Sequence, residues 1–164
     1  ISRWDKAVAG QVAEPIKNQL GIAIGQRTFR AYREFLASER VRTVLAAGAR
    51  PQRLLWASTG TKDPQASDVL YVEALAAPDS IDTMPEKTLK AFADHGHADR
   101  GLSASDDGEA MLARYAQAGI DLDALAARLQ VEGAASFVKS WQEMLGRIAA
   151  KARSLAQSGH LGTM

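Results

Sequence analysis

Five consecutive residues, Ser58-Thr59-Gly60-Thr61-Lys62, set three hydroxyls, a glycine and an ammonium group directly behind the apolar run Leu54-Leu55-Trp56. Hydroxyls and turn amides donate to anion oxygens, lysine adds a point charge, and glycine lets a backbone approach a ligand closely. The chemistry that this set suits is phosphate binding. The same residue types also make an ordinary polar turn between a strand and a helix, and on the local sequence alone the turn is the better-supported reading. The segment is not a P-loop: the first glycine of GxxxxGK[ST] is missing, and Asp63 follows Lys62.

Other clusters carry less. His95 and His97 frame Gly96 in DHGHAD, with Asp94 and Asp99 beside them. Two histidines spaced i, i+2 after a helix are more often solvated turn residues than a metal pair. SDDGE, Ser105 to Glu109, has the acids of a calcium loop, but its glycine comes too early and an apolar helix follows. A helix start with its favoured acids explains it better. By itself Arg3 reads as a surface residue, and Trp141 stands at core spacing.

These residues need elements to position them. Arg53 to Ala57 is a short continuous apolar run after the turn-like Gly48-Ala49-Arg50-Pro51, as for a strand buried on both faces of a parallel sheet. Ser80 to Met84 is a second strand, and Pro85 opens a helix over Glu86 to His95 with Leu89 and Phe92 on one face and Gly96 as its stop. Gln26 to Ala47 predicts one long helix with Phe29, Tyr32, Leu36, Val44 and Leu45 near one stripe and an Arg30–Glu34 surface pair. Asp68 to Ala77 is a shorter helix, capped by Asp68, with Val69, Val72 and Leu75 inward. Ser103 or Ser105 caps a helix through Met111, Leu112 and Tyr115 that Gly119 stops. Asp121 caps the next, through Leu122, Leu125 and Leu129 to Gly133, and a last helix carries Phe137, Trp141, Leu145, Ile148 and Leu155. Residues 158–164 are expected to be a frayed tail.

Strands that alternate with helices predict a parallel α/β sheet, and two strands cannot close one. The expectation is a piece of a larger α/β fold. Ile1 in place of Met agrees with a start inside a longer protein. The composition bounds the rest. In 164 residues the net charge is +1, with acids and bases interspersed, which gives no electrostatic footprint for nucleic acid or an anionic membrane. The absence of cysteine excludes disulfides, thiol catalysis and cysteine metal sites. No apolar run reaches membrane-spanning length and no signal peptide is visible, so the chain is expected to be soluble and cytoplasmic.

RPQRLLWASTGTKDPQASDVLYVEALAAPDSIDTMPEKTLKAFADHG, Arg50 to Gly96, closely resembles the C-terminal part of a transaldolase. More narrowly, it looks like the branch found alone in many bacteria or fused ahead of a glucose-6-phosphate isomerase domain. Ile1-Ser2-Arg3-Trp4-Asp5 is similar to that branch's VSRxD segment, where the sixth barrel strand ends. AGIDLDALAARLQVEGAASFVKSW, Ala118 to Trp141, follows its closing helical pattern.

The resemblance implies the C-terminal part of a (β/α)8 TIM barrel with a helical C-terminal extension, residues 1–157. Leu54 to Ser58 becomes the seventh strand and Ile81 to Met84 the eighth. It implies the transaldolase reaction of the pentose phosphate pathway, in which a fourth-strand lysine forms a Schiff base with a ketose phosphate. A dihydroxyacetone unit passes from sedoheptulose 7-phosphate or fructose 6-phosphate to erythrose 4-phosphate or glyceraldehyde 3-phosphate. The iminium is the electron sink, so neither cofactor nor metal is implied. Barrel enzymes often hold phosphate with the loops after strands seven and eight. By position the phosphate ligands are Arg3, Ser58 and Lys62, although many transaldolases carry an arginine near Gly60 or Thr61.

None of Lys6, Lys17, Lys62, Lys87, Lys90, Lys139 and Lys151 falls in the fourth-strand motif. The Schiff-base lysine and the early-strand acids are therefore expected outside this chain, leaving it inactive without the N-terminal barrel strands as its partner. The alternative is a non-enzymatic sugar-phosphate-binding or interaction module, and a third reading is a plain helical partner protein.

Overall fold

The computed structural model describes residues 1–103 and 108–159. Helices and strands alternate as α1 (Ser2–Ala7), α2 (Leu20–Ala37), α3 (Glu39–Ala46), β1 (Leu54–Trp56), α4 (Leu70–Leu75), β2 (Ser80–Asp82), α5 (Glu86–His95), α6 (Glu109–Gln117) and α7 (Leu122–Gly159), with 3-10 turns at Glu14–Ile16 and Ala98–Arg100. The chain divides into two units, Ile1–Ile120 and a second from Asp121 onward.

In the first unit β1 and β2 pair in parallel, Leu54 opposite Ser80 and Trp56 opposite Asp82, with α4 in the connection between them. The chain is thus α/β, as the alternation predicts. Beyond β1 the ladder continues irregularly. Thr83 N–H donates to Trp56 O at 3.0 Å, while on the other side of β1 the Ile1 nitrogen and Ser2 N–H donate to Ala57 O and Ser58 O, each at 2.9 Å. Residues 1–2 therefore lie against the end of β1.

Trp56 packs with Phe29 from α2, Leu75 from α4 and Leu102 in one buried cluster. A Cβ on Gly25 would fall 2.5 Å from Leu75 Cδ2, so the α2–α4 contact needs a residue without a side chain there. Val69, Val72 and Leu75 are buried, as their spacing predicts. The expectation of a strand buried on both faces is corrected: Leu55 is 48 % exposed. A two-stranded sheet has only one helix-covered face, and alternation puts Leu55 on the other.

The predicted single helix over 26–47 is two helices, and the first starts earlier, at Leu20. Ser38 breaks it, with an extended backbone (ψ 148°) and a side chain that accepts from Val41 N–H at 3.4 Å as the cap of α3. Asp68 does not cap α4, because its carboxylate bonds His95 Nε2 at 3.0 Å instead. The bounds of α5 are as expected, but Leu89 is exposed. The inward residue is Thr88, on the side where α5 passes Gly60. Gly108, at φ 72°, is the N-cap of α6 in place of Ser103; the alternative cap Ser105 and the first residues of SDDGE lie outside the described residues. Glu109, the last residue of SDDGE, joins α6 to α2 through ion pairs with Arg27 at 2.7 Å and Arg30 at 3.0 Å.

The second unit is the helix α7. Asp121 Oδ1 accepts from Ala124 N–H at 2.9 Å, the expected cap. Gly133 does not stop the helix, which runs through to Gly159. An interior glycine costs a helix only about 1 kcal/mol, too little to end one flanked by good helix formers. Phe137 and Trp141 are 81 % and 59 % exposed, so the core role expected for Trp141 is corrected. Of the tail expected to fray, 158–159 are helical and 160–164 lie outside the described residues.

Candidate functional site

A cleft of about 1070 Å³ opens at the C-terminal end of β1 and β2. Arg3 comes to it from α1, Ser58 and Lys62 from the loop after β1, and Thr83, Met84 and Pro85 from the end of β2. The three residues singled out as phosphate ligands in the sequence, Arg3, Ser58 and Lys62, thus line one cleft.

The loop enters it in alternation. Ser58, Gly60 and Lys62 face the cleft, whereas Thr59 and Thr61 do not line it. Thr59 is fully buried and its hydroxyl donates to Asp82 Oδ1 at 2.7 Å, bracing the loop against the last residue of β2. Of the three hydroxyls of the segment, only that of Ser58, the one expected among the phosphate ligands, belongs to a residue that lines the cleft. The left-handed residue of the turn is also Ser58, at φ 59°, and not the glycine. Gly60 is buried close to Pro85: a Cβ there would lie 3.1 Å from Pro85 Cγ. A non-glycine residue held left-handed costs roughly 1–2 kcal/mol, so the hydroxyl at this position is kept against a backbone preference for glycine.

Two aspartates that line the cleft, Asp5 and Asp63, and a third behind its loop, Asp82, have shifted pKa values. Asp5 is buried, and burial raises its pKa above the ordinary carboxylate value. Hydrogen bonds from Gly21 N–H (3.0 Å), the Tyr71 hydroxyl (2.8 Å) and Leu20 N–H (2.9 Å) pull it back down. The Tyr71 phenol is pushed far up, mainly by burial and then by the Asp5 charge, and stays protonated as a donor. Burial also raises Asp82; the Thr59 hydroxyl opposes this through Oδ1, while Oδ2 is buried with no hydrogen-bond partner among the described residues. Asp63 goes the other way, down to about 2, because the Asn18 amide (2.8 Å), Gln65 N–H (2.9 Å) and the Lys17 ammonium (3.1 Å) all favour its charged form.

Reading the sequence missed this second tier. Lys17, Asn18, Asp63 and Tyr71 all line the cleft and were not among the candidates, and Asp5 entered only as part of a motif. The signal for Asp63 was its Asp-Pro-Gln spacing, which suits a side chain that bonds the backbone two residues on. No local signal marks Tyr71, a tyrosine on the apolar face of a short helix. His95 is held between Asp68 and Asp94, at 3.0 and 3.1 Å, in agreement with its reading as a surface residue. Among the described residues no group of three or more His, Cys, Asp or Glu could hold a metal ion, and no helix is long and apolar enough to cross a membrane.

A parallel α/β unit with a cation-bearing cleft at the C-terminal ends of its strands has the architecture of enzymes that grip phosphorylated substrates there. Residues 1–148 match the Transaldolase/Fructose-6-phosphate aldolase family, and the chain belongs to it. The chain is 41 % identical to the transaldolase of Thiobacillus denitrificans over 156 residues, 90 % of this chain and 44 % of the relative. To that of Parafrankia sp. it is 40 % identical over 157 residues, 90 % of this chain and 42 % of the relative. To that of Mycobacterium tuberculosis it is 42 % identical over 158 residues, 94 % of this chain and 42 % of the relative. The chain therefore spans less than half the length of these curated relatives.

Proposed function

We propose that residues 1–157 form the phosphate-gripping end of a transaldolase (β/α)8 barrel, with β1 and β2 as its seventh and eighth strands and residues 1–2 at the end of the sixth. The observation that carries the reading is the convergence of Arg3, Ser58 and Lys62 on one cleft at the C-terminal ends of the strands. The backbone bonds from residues 1 and 2 to Ala57 and Ser58 support the strand assignment, since a sixth strand must lie beside the seventh.

In this account the Arg3 guanidinium and the Lys62 ammonium neutralise the phosphate of fructose 6-phosphate or sedoheptulose 7-phosphate, and the Ser58 hydroxyl donates to one of its oxygens. Anchoring the phosphate end fixes the distance at which the carbonyl meets its nucleophile. A lysine elsewhere in the barrel forms the Schiff base with loss of water, and the bond between C3 and C4 breaks to release a shortened aldose phosphate. The dihydroxyacetone unit left on the lysine adds to the carbonyl of an acceptor aldose phosphate, and water then hydrolyses the Schiff base to free the new ketose phosphate. Residues 1–164 supply the anchor and no nucleophile, so they are inactive alone.

The reading is tested by borohydride reduction of the complete gene product in the presence of fructose 6-phosphate. The expected result is a covalent adduct on a lysine outside residues 1–164. An adduct on Lys62 or Lys17 would assign the nucleophile to this chain and overturn the division of labour. Phosphate binding without any adduct would favour the non-enzymatic binding module.

A further inference from the structure

We propose that the segment that opens α2, residues 17–21, is a common mounting for two of the cations that line the cleft, Arg3 and Lys62: Asp5 is the positioning residue for Arg3, and Asp63 is the positioning residue for Lys62. The inference rests on the reading that Arg3 and Lys62 grip a substrate phosphate, and it extends that reading to what fixes them in space.

Both cations stand on short carriers, tied to the sheet at one end by the Ser2–Ser58 and Thr59–Asp82 bonds and to α2 by the aspartates that follow them. Arg3 is on α1, a helix of six residues and too short to be stable in isolation, and Lys62 is on a loop. Two long cationic side chains on mobile carriers would lose much of their attraction for a phosphate to ordering entropy. Each is followed closely by an aspartate whose side chain turns away from the ligand role and binds the same stretch of chain. Asp5 accepts from Leu20 N–H and Gly21 N–H, two of the donors that the first turn of α2 leaves without a helical partner. It is thus a cap on α2 supplied from α1. Asp63 accepts from the Asn18 amide and pairs with Lys17 just before the same helix.

Asn18 is itself left-handed, at φ 61°, which folds Lys17 and Asn18 back toward Asp63 while Leu20 and Gly21 face Asp5. The closeness of the α1 contact is set at Gly21, where a Cβ would lie 2.8 Å from Asp5 Oδ2 and 2.9 Å from Ile1 O. Gly21 does not line the cleft, so a methyl group there moves α1 without entering the phosphate site.

The experiment compares Gly21→Ala and Asp63→Asn with the wild-type complete gene product. It measures KM and kcat with fructose 6-phosphate and erythrose 4-phosphate, the dissociation constant of inorganic phosphate, and the melting temperature. A mounting role gives a KM and a phosphate dissociation constant raised about three- to tenfold in each variant, with kcat little changed. Lower melting temperatures with unchanged KM and phosphate binding would overturn the proposal, since the anchors would then serve stability alone. If Gly21→Ala does not fold, Asp63→Asn, which preserves size and one acceptor, decides by the same two readouts. A wild-type protein without turnover would defeat the transaldolase reading, but phosphate binding would still test the mounting. Wild-type protein that binds no phosphate would overturn the mounting as well.

Discussion

The Thr59 hydroxyl donates to Asp82 Oδ1 at 2.7 Å, joining the loop that leaves β1 to the last residue of β2. With the backbone bonds of Thr83 to Trp56 and of Ser2 to Ser58, it ties the cleft wall to the sheet. With Thr59 buried, the alternate residues Ser58, Gly60 and Lys62 line the cleft.

Thr59→Val keeps the shape and removes the donor, leaving the Asp82 carboxylate with neither oxygen paired. An unsatisfied buried acceptor costs about 1–3 kcal/mol. Urea denaturation is expected to show a loss in that range, and an unchanged midpoint would mean that water replaces the hydroxyl at no cost.

Ser58→Gly separates two effects at one position. The left-handed backbone at φ 59° is better suited to glycine, so the melting temperature is expected to hold or rise. The lost hydroxyl is expected to raise KM for fructose 6-phosphate by severalfold. A lower melting temperature with unchanged KM would show that Ser58 is a structural residue and not a ligand.

Asp63 is expected to titrate in a carboxyl-carbon NMR experiment near its depressed value of about 2. The sign follows from the depression. Its bonds to Asn18, Gln65 and Lys17 favour the folded chain fully above the unfolded value of about 3.8, and this contribution is lost as the pH falls through about 2. In Asp63→Asn that part of the acid dependence is expected to disappear. A titration at an ordinary aspartate value would contradict the Lys17–Asn18–Asp63 cluster.

Arg3→Ala is expected to raise KM for phosphorylated substrates with little change in kcat. Loss of one charged hydrogen bond is worth about 1.5–3 kcal/mol, or about ten- to a hundredfold. Steady-state kinetics with fructose 6-phosphate check it, and unchanged values would remove Arg3 from the phosphate site.

Much of this was legible in the sequence where the signal is local. Pro85 and Gly96 bracket α5 as expected, Asp121 caps α7, and Val69, Val72 and Leu75 turn inward at helical spacing. The readings that differ depend on partners distant in sequence. Asp68 looks like a cap until His95, 27 residues on, takes its carboxylate. Thr59 is one of three hydroxyls in a row until Asp82 takes its hydroxyl, and the buried Asp5 has no visible role until Tyr71 and the start of α2 close around it. Ser38 shows the local counterpart: its capping ability was present in the sequence, but the apolar stripe on either side suggested a continuous helix.

The most direct test of the account is transaldolase activity, measured with fructose 6-phosphate and erythrose 4-phosphate for the complete gene product and for residues 1–164 expressed alone. Turnover is expected from the complete gene product and none from the 164 residues, on the proposal that these supply a phosphate anchor and not the nucleophile. Turnover by residues 1–164 alone would contradict it, and would place the Schiff base on a lysine of this cleft.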